Sequence, residues 1–217
     1  MKISKETINI LRNYSSINSN LLLRPGSKIS TISANKTIAS NVTVPEEFPS
    51  EYGIYDLNAF LGALSLFEDP DLTFEDKYVI MQDRGNIIKY YAAESTVLTV
   101  PKNDIKFPSA NIEFDITGDM ISSVLRTAGV LKSTDLTVIG DGTNLILIVG
   151  DKKNATGNTF ETVVGTTDKT FKAYIKIENL KMLHTDYTVT IHPSISRFQS
   201  HTGDLVYYLA VESDSSF

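Results

Sequence analysis

The sequence predicts an α+β protein of two similar domains, in each of which two helices pack on antiparallel sheets. The chain has 217 residues, of which 41% are hydrophobic, and this is typical of a globular protein with one large core or two small ones. The predicted elements also repeat, because each half reads as a helix, short strands, a second helix and further strands. The two opening helices lie about 113 residues apart, which indicates an internal duplication.

The opening helix of the first half is predicted to run to about Ser16, with Ser4 as its capping residue. Its apolar side is formed by Ile8, Leu11 and Tyr14, with Ile10 at the margin. On the polar side, Lys5 and Arg12 are seven residues apart, so they lie two turns apart on one stripe. Such a stripe is either an ordinary solvated face or a surface that binds phosphates.

Three short strands are predicted next, at residues 20–23, 28–33 and 37–44, with a loop between Pro45 and Pro49. A second helix follows over residues 57–67, because Asp56 can cap it. Its buried face contains Leu57, Phe60, Leu61 and Leu64, with Phe67 beside them. The opposite side is small and uncharged and contains Asn58, Gly62 and Ser65. An acidic run at residues 68–76 is predicted to be a solvated loop, and strands follow at 78–82 and 86–91.

Residues 92–108 contain two prolines and an extended apolar-polar pattern, which is typical of a connector that lies along a surface. The predicted domains are therefore residues 1–91 and 109–217. The second domain begins with a strand at 112–116 and a helix at about 119–129, on whose polar side Arg126 lies. A short helix at 177–183 carries Lys181 and corresponds to the second helix of the first domain. The other predicted elements are strands at 135–139, 144–149, 159–164, 170–177, 187–192, 196–201 and 205–212, the first two joined by a hairpin turn at Gly140-Asp141-Gly142.

Composition and motifs argue against several classes of function. The chain has no cysteine, which excludes disulfides and thiolate chemistry, and a net charge of −6 argues against a broad basic surface that grips nucleic acid. No glycine-rich phosphate loop is present, and the three histidines lack the spacing of a zinc site. We therefore expect no enzyme activity, cofactor or metal. No apolar run reaches the roughly 18 residues needed to span a bilayer, and the N-terminus lacks the pattern of a signal peptide.

Several segments carry a resemblance to a known family. They are the opening M-K-x-S-K, the SIN after the first helix, the YDLNAFLGALSL segment at 55–66, the connector from STV to FP, and the closing A-V-E-x-D-S-x-F. In these segments the chain resembles the sliding clamps, or DNA polymerase processivity factors, of T-even-type bacteriophages. The resemblance covers the whole chain, and the 55–66 segment and the connector are its most specific parts.

The resemblance implies a DNA-clamp fold in a closed homotrimeric ring, with helices lining the hole and sheets forming the outer wall. Duplex DNA would pass through the ring without sequence preference. Its expected partners are the replicative DNA polymerase, an ATP-driven clamp loader and phage late-transcription factors, in the cytoplasm of an infected bacterial host. The basic stripes on the helices would then face DNA, while the acidic excess would lie outside.

Two sets of site residues are carried over from the resemblance. The residues expected to face DNA are Lys5, Arg12, Arg126 and Lys181, together with Lys2, Lys132 and Lys176. The residues expected to border a pocket for partner peptides are Ile105, Phe107 and Pro108, together with Val97, Leu98 and Val100. Alternatively, residues 97–100 only pin the connector to the core. Ala128 and Gly129 stand where relatives carry a second basic residue, so the inner charge is expected to be lower here.

A rival hypothesis is a non-catalytic, β-rich structural or assembly protein of a virus, which would share the composition and the lack of catalytic motifs. That class requires neither basic residues on helix stripes nor a duplicated plan of helices and strands. An enzyme would require a cleft with a strongly perturbed carboxylate pair.

Overall fold

A computed structural model describes residues 1–154 and 156–217 and divides the chain into two compact units. Unit 1 is Met1–Asp104 and unit 2 is Ile105–Phe217. The division falls inside the segment 92–108 that the sequence predicts to be the connector. None of the helices in the described residues is long and apolar enough to cross a membrane.

Unit 1, which is described throughout, contains two α-helices and three groups of antiparallel strands. The helices are α1 (Lys5–Ile17) and α2 (Leu57–Leu64). Strand β1 (Leu21–Leu23) pairs with β4 (Tyr52–Ile54), and β2 (Gly26–Ile32) pairs with β3 (Ile38–Phe48). A three-stranded meander is formed by β5 (Asp71–Phe74), β6 (Tyr78–Asp83) and β7 (Asn86–Tyr91), in that order.

Helix α1 begins where the sequence predicts, because the Ser4 hydroxyl accepts a hydrogen bond from the Thr7 amide at 3.2 Å. Its buried residues are Thr7, Ile10, Leu11, Tyr14 and Ile17. Ile8 was expected on this face, but it is only half-buried, because the helix packs on both α2 and the β2–β3 hairpin and turns Ile10 inward. The hydroxyl of Tyr14 shares a buried hydrogen bond of 2.9 Å with Ser40 on β3, which fixes the helix against that strand.

Helix α2 buries Leu57, Phe60 and Leu64 as predicted, and its N-cap is Asp56. Leu61, which was expected on the same face, is only half-buried. The ring of Phe60 meets Tyr90 edge-to-face at 5.3 Å and belongs to an aromatic core that also contains Tyr52 and Phe74. The α-helix ends at Leu64 instead of residue 67. After the Ser65 amide, which still bonds four residues back, the amides of Leu66 and Phe67 bond three residues back, so the last turn is tighter than an α-helical one.

Two predictions about unit 1 are wrong. The loop between Pro45 and Pro49 is largely strand, because β3 runs on to Phe48. The β2–β3 pairing skips from Lys28 opposite Thr43 to Gly26 opposite Phe48, so Pro45 lies in a bulge where no ladder hydrogen bond needs its missing amide. The acidic run at 68–76 is also not all loop, since it contains β5.

Unit 2 has two antiparallel sheets and, in its described residues, one α-helix, α3 (Gly118–Leu131). The first sheet has the order β11-β10-β9-β12 and the second has the order β15-β14-β13-β8. Their strands are β8 (Ile112–Ile116), β9 (Asp135–Asp141), β10 (Asn144–Gly150), β11 (Phe160–Thr166), β12 (Thr170–Lys176), β13 (Tyr187–His192), β14 (Ile195–Ser200) and β15 (Val206–Ala210).

Helix α3 and the hairpin after it agree with the sequence prediction. Thr117 caps the helix by accepting from the Met120 amide at 3.2 Å, and the helix packs on β10 through Ile121, Val124 and Ala128. Gly142 closes the β9–β10 hairpin with a positive φ of 87°, which glycine adopts without steric cost. Helix α3 begins 113 residues after α1, in agreement with the predicted duplication.

The predicted helix at 177–183 is wrong. Only Ile177–Asn179 forms a 3-10 turn, and the chain then runs on without helix. Leu180 and Met182 are both buried, a spacing of two that an extended segment provides and a helix does not. Both backbone polar groups of Leu183 form hydrogen bonds with tyrosine side chains. Its amide donates to the Tyr207 hydroxyl, and its carbonyl accepts from the Tyr187 hydroxyl. These tertiary contacts override the local helix preference.

Candidate nucleic-acid interface

The exposed side of α1 carries the basic stripe that the sequence predicts. Lys5, Asn9, Arg12 and Ser16 are all exposed, on the side of the helix opposite Leu11 and Tyr14. No carboxylate in the described residues lies within ion-pair distance of Lys5 or Arg12. Both cations are therefore available to an external anion.

Glu46, which the sequence reasoning missed, holds the start of α1 in place. Its carboxylate accepts hydrogen bonds from the Ser4 amide and, at 2.5 Å, from the Thr7 hydroxyl. Burial of the Glu46 side chain raises its pKa, but the hydrogen bonds from Thr7 and Ser4 outweigh burial and hold the pKa below its ordinary value. A signal was present in the sequence, because alternation along β3 from Val42 to Phe48 places Glu46 on the buried side.

Lys5 and Arg12 border an apolar groove of about 330 Å³ between α1 and the end of α2. Its acidic residues, Glu68 and Asp69, are already paired with Arg84 and Lys2. Because those carboxylates are neutralised locally, the uncompensated charge at this surface of unit 1 is positive. A net charge of −6 argues against a nucleic-acid-binding protein, but on this face of unit 1 the local charge is positive and compatible with binding phosphates.

Helix α3 presents a similar but weaker stripe in unit 2. Arg126 is exposed on the polar side, and Lys132 is an exposed left-handed C-cap with a φ of 54°. Neither side chain has an ion-pair partner among the residues that the structure describes. Ala128 is buried and Gly129 is exposed and uncharged, so α3 offers fewer cations than the resemblance would suggest.

The remaining three basic residues differ from this pattern. Lys2 forms an ion pair with Asp69, and this hydrogen-bonded partner raises the pKa of Lys2. Lys176 is half-buried and its Nζ lies 2.6 Å from the fully buried Asp135, so its charge is used inside unit 2. Lys181 is exposed, but it follows the 3-10 turn and does not lie on an α-helix.

The connector residues assigned to unit 1 lie along β1 and β4. The Thr99 amide donates to Asn20 at 2.9 Å, and the Ala93 amide donates to the Gly53 carbonyl at 2.9 Å. Gly53 leaves no space for a larger residue, because a Cβ there would lie 2.2 Å from the Ala93 carbonyl oxygen and 2.9 Å from Leu98 Cδ1. Leu98 therefore serves at least to pin the connector, while Val97 is 60% exposed and Val100 is half-buried.

In unit 2, Ile105, Phe107 and Pro108 are half-exposed. The Phe107 ring lies 6.3 Å from the ring of Tyr208 and 5.0 Å from the guanidinium carbon of Arg197. The sequence reasoning did not single out Arg197, and no local pattern could have done so, since 90 residues separate it from Phe107. Among the described residues, no group of three or more side chains could hold a metal ion.

In the described residues, unit 1 packs two α-helices on antiparallel strands and unit 2 packs one, with cations on exposed faces of α1 and α3. This architecture is consistent with the DNA-clamp fold. The structure superimposes on the PCNA of Thermococcus kodakaraensis with a TM-score of 0.71, over 96% of each chain and with 13% sequence identity. At that identity the likeness shows the fold, and it confirms the predicted α+β clamp class.

The sequence comparisons identify the family. Residues 4–99 match the DNA polymerase processivity factors and residues 113–213 match the C-terminal domain of the gp45 sliding clamp. The chain is 33% identical over 223 residues to the sliding clamp of Vibrio phage KVP40, covering 98% of this chain and 100% of that one. It is 27% identical over 227 residues to the sliding clamp of Escherichia phage RB69, covering 100% and 99%. The chain belongs to the phage sliding clamps, the DNA polymerase processivity factors.

Proposed function

We propose that this sliding clamp closes into a homotrimeric ring that encircles duplex DNA and tethers the phage replicative polymerase. The observation that carries the proposal is the position of Lys5, Arg12 and Arg126. All three are exposed, unpaired with any described carboxylate, and lie on helix faces opposite the buried sides of α1 and α3. In a chain of net charge −6, such isolated stripes suit a surface that faces DNA without gripping it.

The strand edges support ring closure. In unit 1, the outer edge of β5 is covered, because Met1 and Leu72 exchange two backbone hydrogen bonds of 2.7 Å. In unit 2, Ser216 covers the outer edge of β12 in the same way, opposite Lys172. The outer edges of β7 and β11 have no partner strand within the described chain.

These open edges also carry exposed apolar side chains, Ile87 on β7 at 57% and Val163 on β11 at 59%. An open apolar edge is an aggregation hazard unless another chain covers it. We infer that β7 of one protomer associates with β11 of the next. Such head-to-tail contacts form a ring when the rotation closes, and the family resemblance suggests three copies.

The further partners follow from the same proposal. An ATP-driven clamp loader would open the ring at a protomer contact and place it on DNA in the cytoplasm of the infected host. Assistance to phage late transcription is proposed from the resemblance to the T-even-type clamps alone. If the clamp has this role, loading it onto DNA should raise transcription from late promoters by the host polymerase with phage factors. Adding the clamp without its loader should leave that transcription at the level seen without the clamp.

The basic stripes can be tested by charge reversal. A variant with Lys5→Glu, Arg12→Glu and Arg126→Glu should fold and assemble normally, because all three side chains lie on exposed faces. It should lose most of its stimulation of the polymerase on primed circular DNA, measured as product length with loader and ATP present.

The matched control reverses three exposed lysines outside the helices, Lys36, Lys77 and Lys153. It changes the net charge equally and should leave stimulation intact. Equal stimulation by both variants would contradict the assignment of α1 and α3 to the DNA-facing surface.

A further inference from the structure

Arg197, on β14, is a half-buried cation that no carboxylate of the described residues contacts directly. Its Nη2 donates to the Thr190 hydroxyl at 3.1 Å, and that hydroxyl donates in turn to Glu113 at 3.2 Å. Its Nε is buried and has no hydrogen-bond partner within the described chain. A guanidinium has five N–H donors, so most of its hydrogen-bonding capacity is not used inside unit 2.

The same guanidinium lies over the Phe107 ring, with 5.0 Å between its central carbon and the ring centroid. Phe107 in turn packs beside Tyr208, and its neighbours Ile105 and Pro108 are half-exposed. A cation–π contact at this distance restricts the position of the guanidinium and shields one side of it from water. Unit 2 therefore presents a small apolar surface with one oriented positive charge at its edge.

This surface fits one kind of ligand group well. A carboxylate pairs with the planar fork of arginine through two hydrogen bonds, and the pair is stronger where aromatic rings lower the local dielectric constant. An apolar side chain next to that carboxylate would pack on Phe107. A nucleic-acid phosphate offers the charge but no apolar group for the phenyl ring.

We propose that Arg197 and Phe107 form an anchor for a partner peptide that carries a carboxylate beside an apolar side chain. The carboxylate is that of an aspartate, a glutamate or a C-terminus, and it makes the charge-assisted contact that Arg197 lacks in the isolated chain. This inference rests on the proposed function, in which the clamp tethers the replicative polymerase. It goes further by naming the chemistry that selects the docked segment and by assigning the specificity to Arg197.

The first test measures the affinity of the assembled clamp for the DNA polymerase of the same phage by surface plasmon resonance. Arg197→Gln keeps a hydrogen bond to Thr190 and removes the charge, so it should weaken binding about tenfold or more. Arg197→Lys keeps the charge but lacks the planar fork, so its affinity for the polymerase should lie between those of the native clamp and Arg197→Gln. The matched control is Lys172→Gln, which removes another cation stacked on an aromatic ring, 5.4 Å from Tyr174, and should leave binding unchanged.

The second test identifies the carboxylate. Overlapping twelve-residue peptides of the polymerase are screened for binding, and the best binder is resynthesised with each side-chain or terminal carboxylate replaced by an amide. One replacement should weaken binding to the native clamp about tenfold and have no effect on binding to the Arg197→Gln variant. The position of the effective replacement shows whether the carboxylate belongs to an aspartate or glutamate side chain or to the C-terminus. Native mass and thermal unfolding of both variants are measured alongside.

The outcomes are distinct. Amide replacements that weaken both clamps equally would overturn the carboxylate anchor and leave the proposed function standing. Unchanged polymerase binding by Arg197→Gln, with reduced retention on DNA, would assign the residue to phosphate instead and also overturn it. A native clamp that binds no polymerase would overturn the proposed function and this inference together.

Discussion

The hydrogen bonds from α1 to Glu46 should contribute measurably to the stability of the helix that carries Lys5 and Arg12. The Glu46 carboxylate accepts from the Ser4 backbone amide and from the Thr7 side-chain hydroxyl, at the start of α1. Replacing Glu46 with Gln removes the charge and leaves only one oxygen to accept. The amide group of Gln must then face a donor where the second carboxylate oxygen had been.

Glu46→Gln should lower the free energy of unfolding by about 2 kcal/mol at pH 7, because hydrogen bonds to charged groups contribute about 1.5–3 kcal/mol. The negative charge of the carboxylate also interacts favourably with the N-terminus of α1. For a chain of this size, that loss of stability corresponds to a fall in Tm of roughly 4–8 °C. Thermal and urea unfolding are followed by circular dichroism at one fixed protein concentration, because assembly makes apparent stability concentration-dependent.

The loss should depend on pH in a defined direction. The pKa of Glu46 is lower in the folded protein than in the unfolded chain, so the unfolded chain binds the proton more readily. The stabilisation by Glu46 is therefore fully present above the unfolded pKa of about 4.3 and is lost as pH falls through the folded value. The difference between native protein and Glu46→Gln should shrink from pH 7 towards pH 3.

The adjacent Glu47 is the matched control, because it is exposed on the same strand. Glu47→Gln should change the free energy of unfolding by less than about 0.5 kcal/mol at every pH. A loss for Glu46→Gln that does not vary with pH, or an equal loss for Glu47→Gln, would refute the role given to the carboxylate.

Three further substitutions test other parts of the structure. Gly53→Ala should detach the connector from unit 1, because its Cβ would lie 2.2 Å from the Ala93 carbonyl oxygen, and limited proteolysis of the connector should become faster. Asp135→Ala should destabilise the protein by about 3–5 kcal/mol in urea unfolding, because it leaves Lys176 without its buried partner. Val163→Glu should shift the protein from trimer towards monomer in light scattering across a concentration series, because it places a charge on the open edge of β11.

Each of these substitutions has a control in the same chain. A Cβ at Gly62 meets no atom within 4 Å, so Gly62→Ala should leave proteolysis unchanged. Asp168, whose side chain is 86% exposed, can be changed to Ala at little cost in stability. Val97→Glu places a charge on a residue that is 60% exposed and should leave the native mass unchanged. A monomer that persists for the unmodified protein at high concentration would contradict ring formation itself.

The sequence predicts those parts of the fold that local chemistry determines. The caps Ser4, Asp56 and Thr117 and the apolar stripes behind them are enough to place α1, α2 and α3 within a few residues. The segment 177–183 could not be predicted in this way, because Tyr187 and Tyr207 hold Leu183 through hydrogen bonds. The continuation of β3 through Pro45 was missed for a related reason, since only the β2–β3 register shows that the bulge needs no amide there.

In the candidate site, too, features set by local sequence could be predicted and features set by tertiary contacts could not. The exposure of Lys5, Arg12 and Arg126 follows from helical periodicity alone and could be predicted. The pairing of Lys2 with Asp69 and of Lys176 with Asp135 could not, because these partners are 67 and 41 residues apart in the chain. In the sequence, such paired lysines cannot be distinguished from basic residues that form no ion pair among the described residues.

We propose that the protein is retained on DNA by encirclement and only weakly by affinity. The most direct measurement loads the clamp onto nicked circular DNA with its loader and ATP, and washes with salt that leaves the trimer closed but removes ordinary electrostatic binders. The circle is then cut by a restriction enzyme, at unchanged salt. We expect the clamp to survive the wash on the circle and to be released by sliding off once ends exist. Equal retention on circular and linear DNA would contradict encirclement.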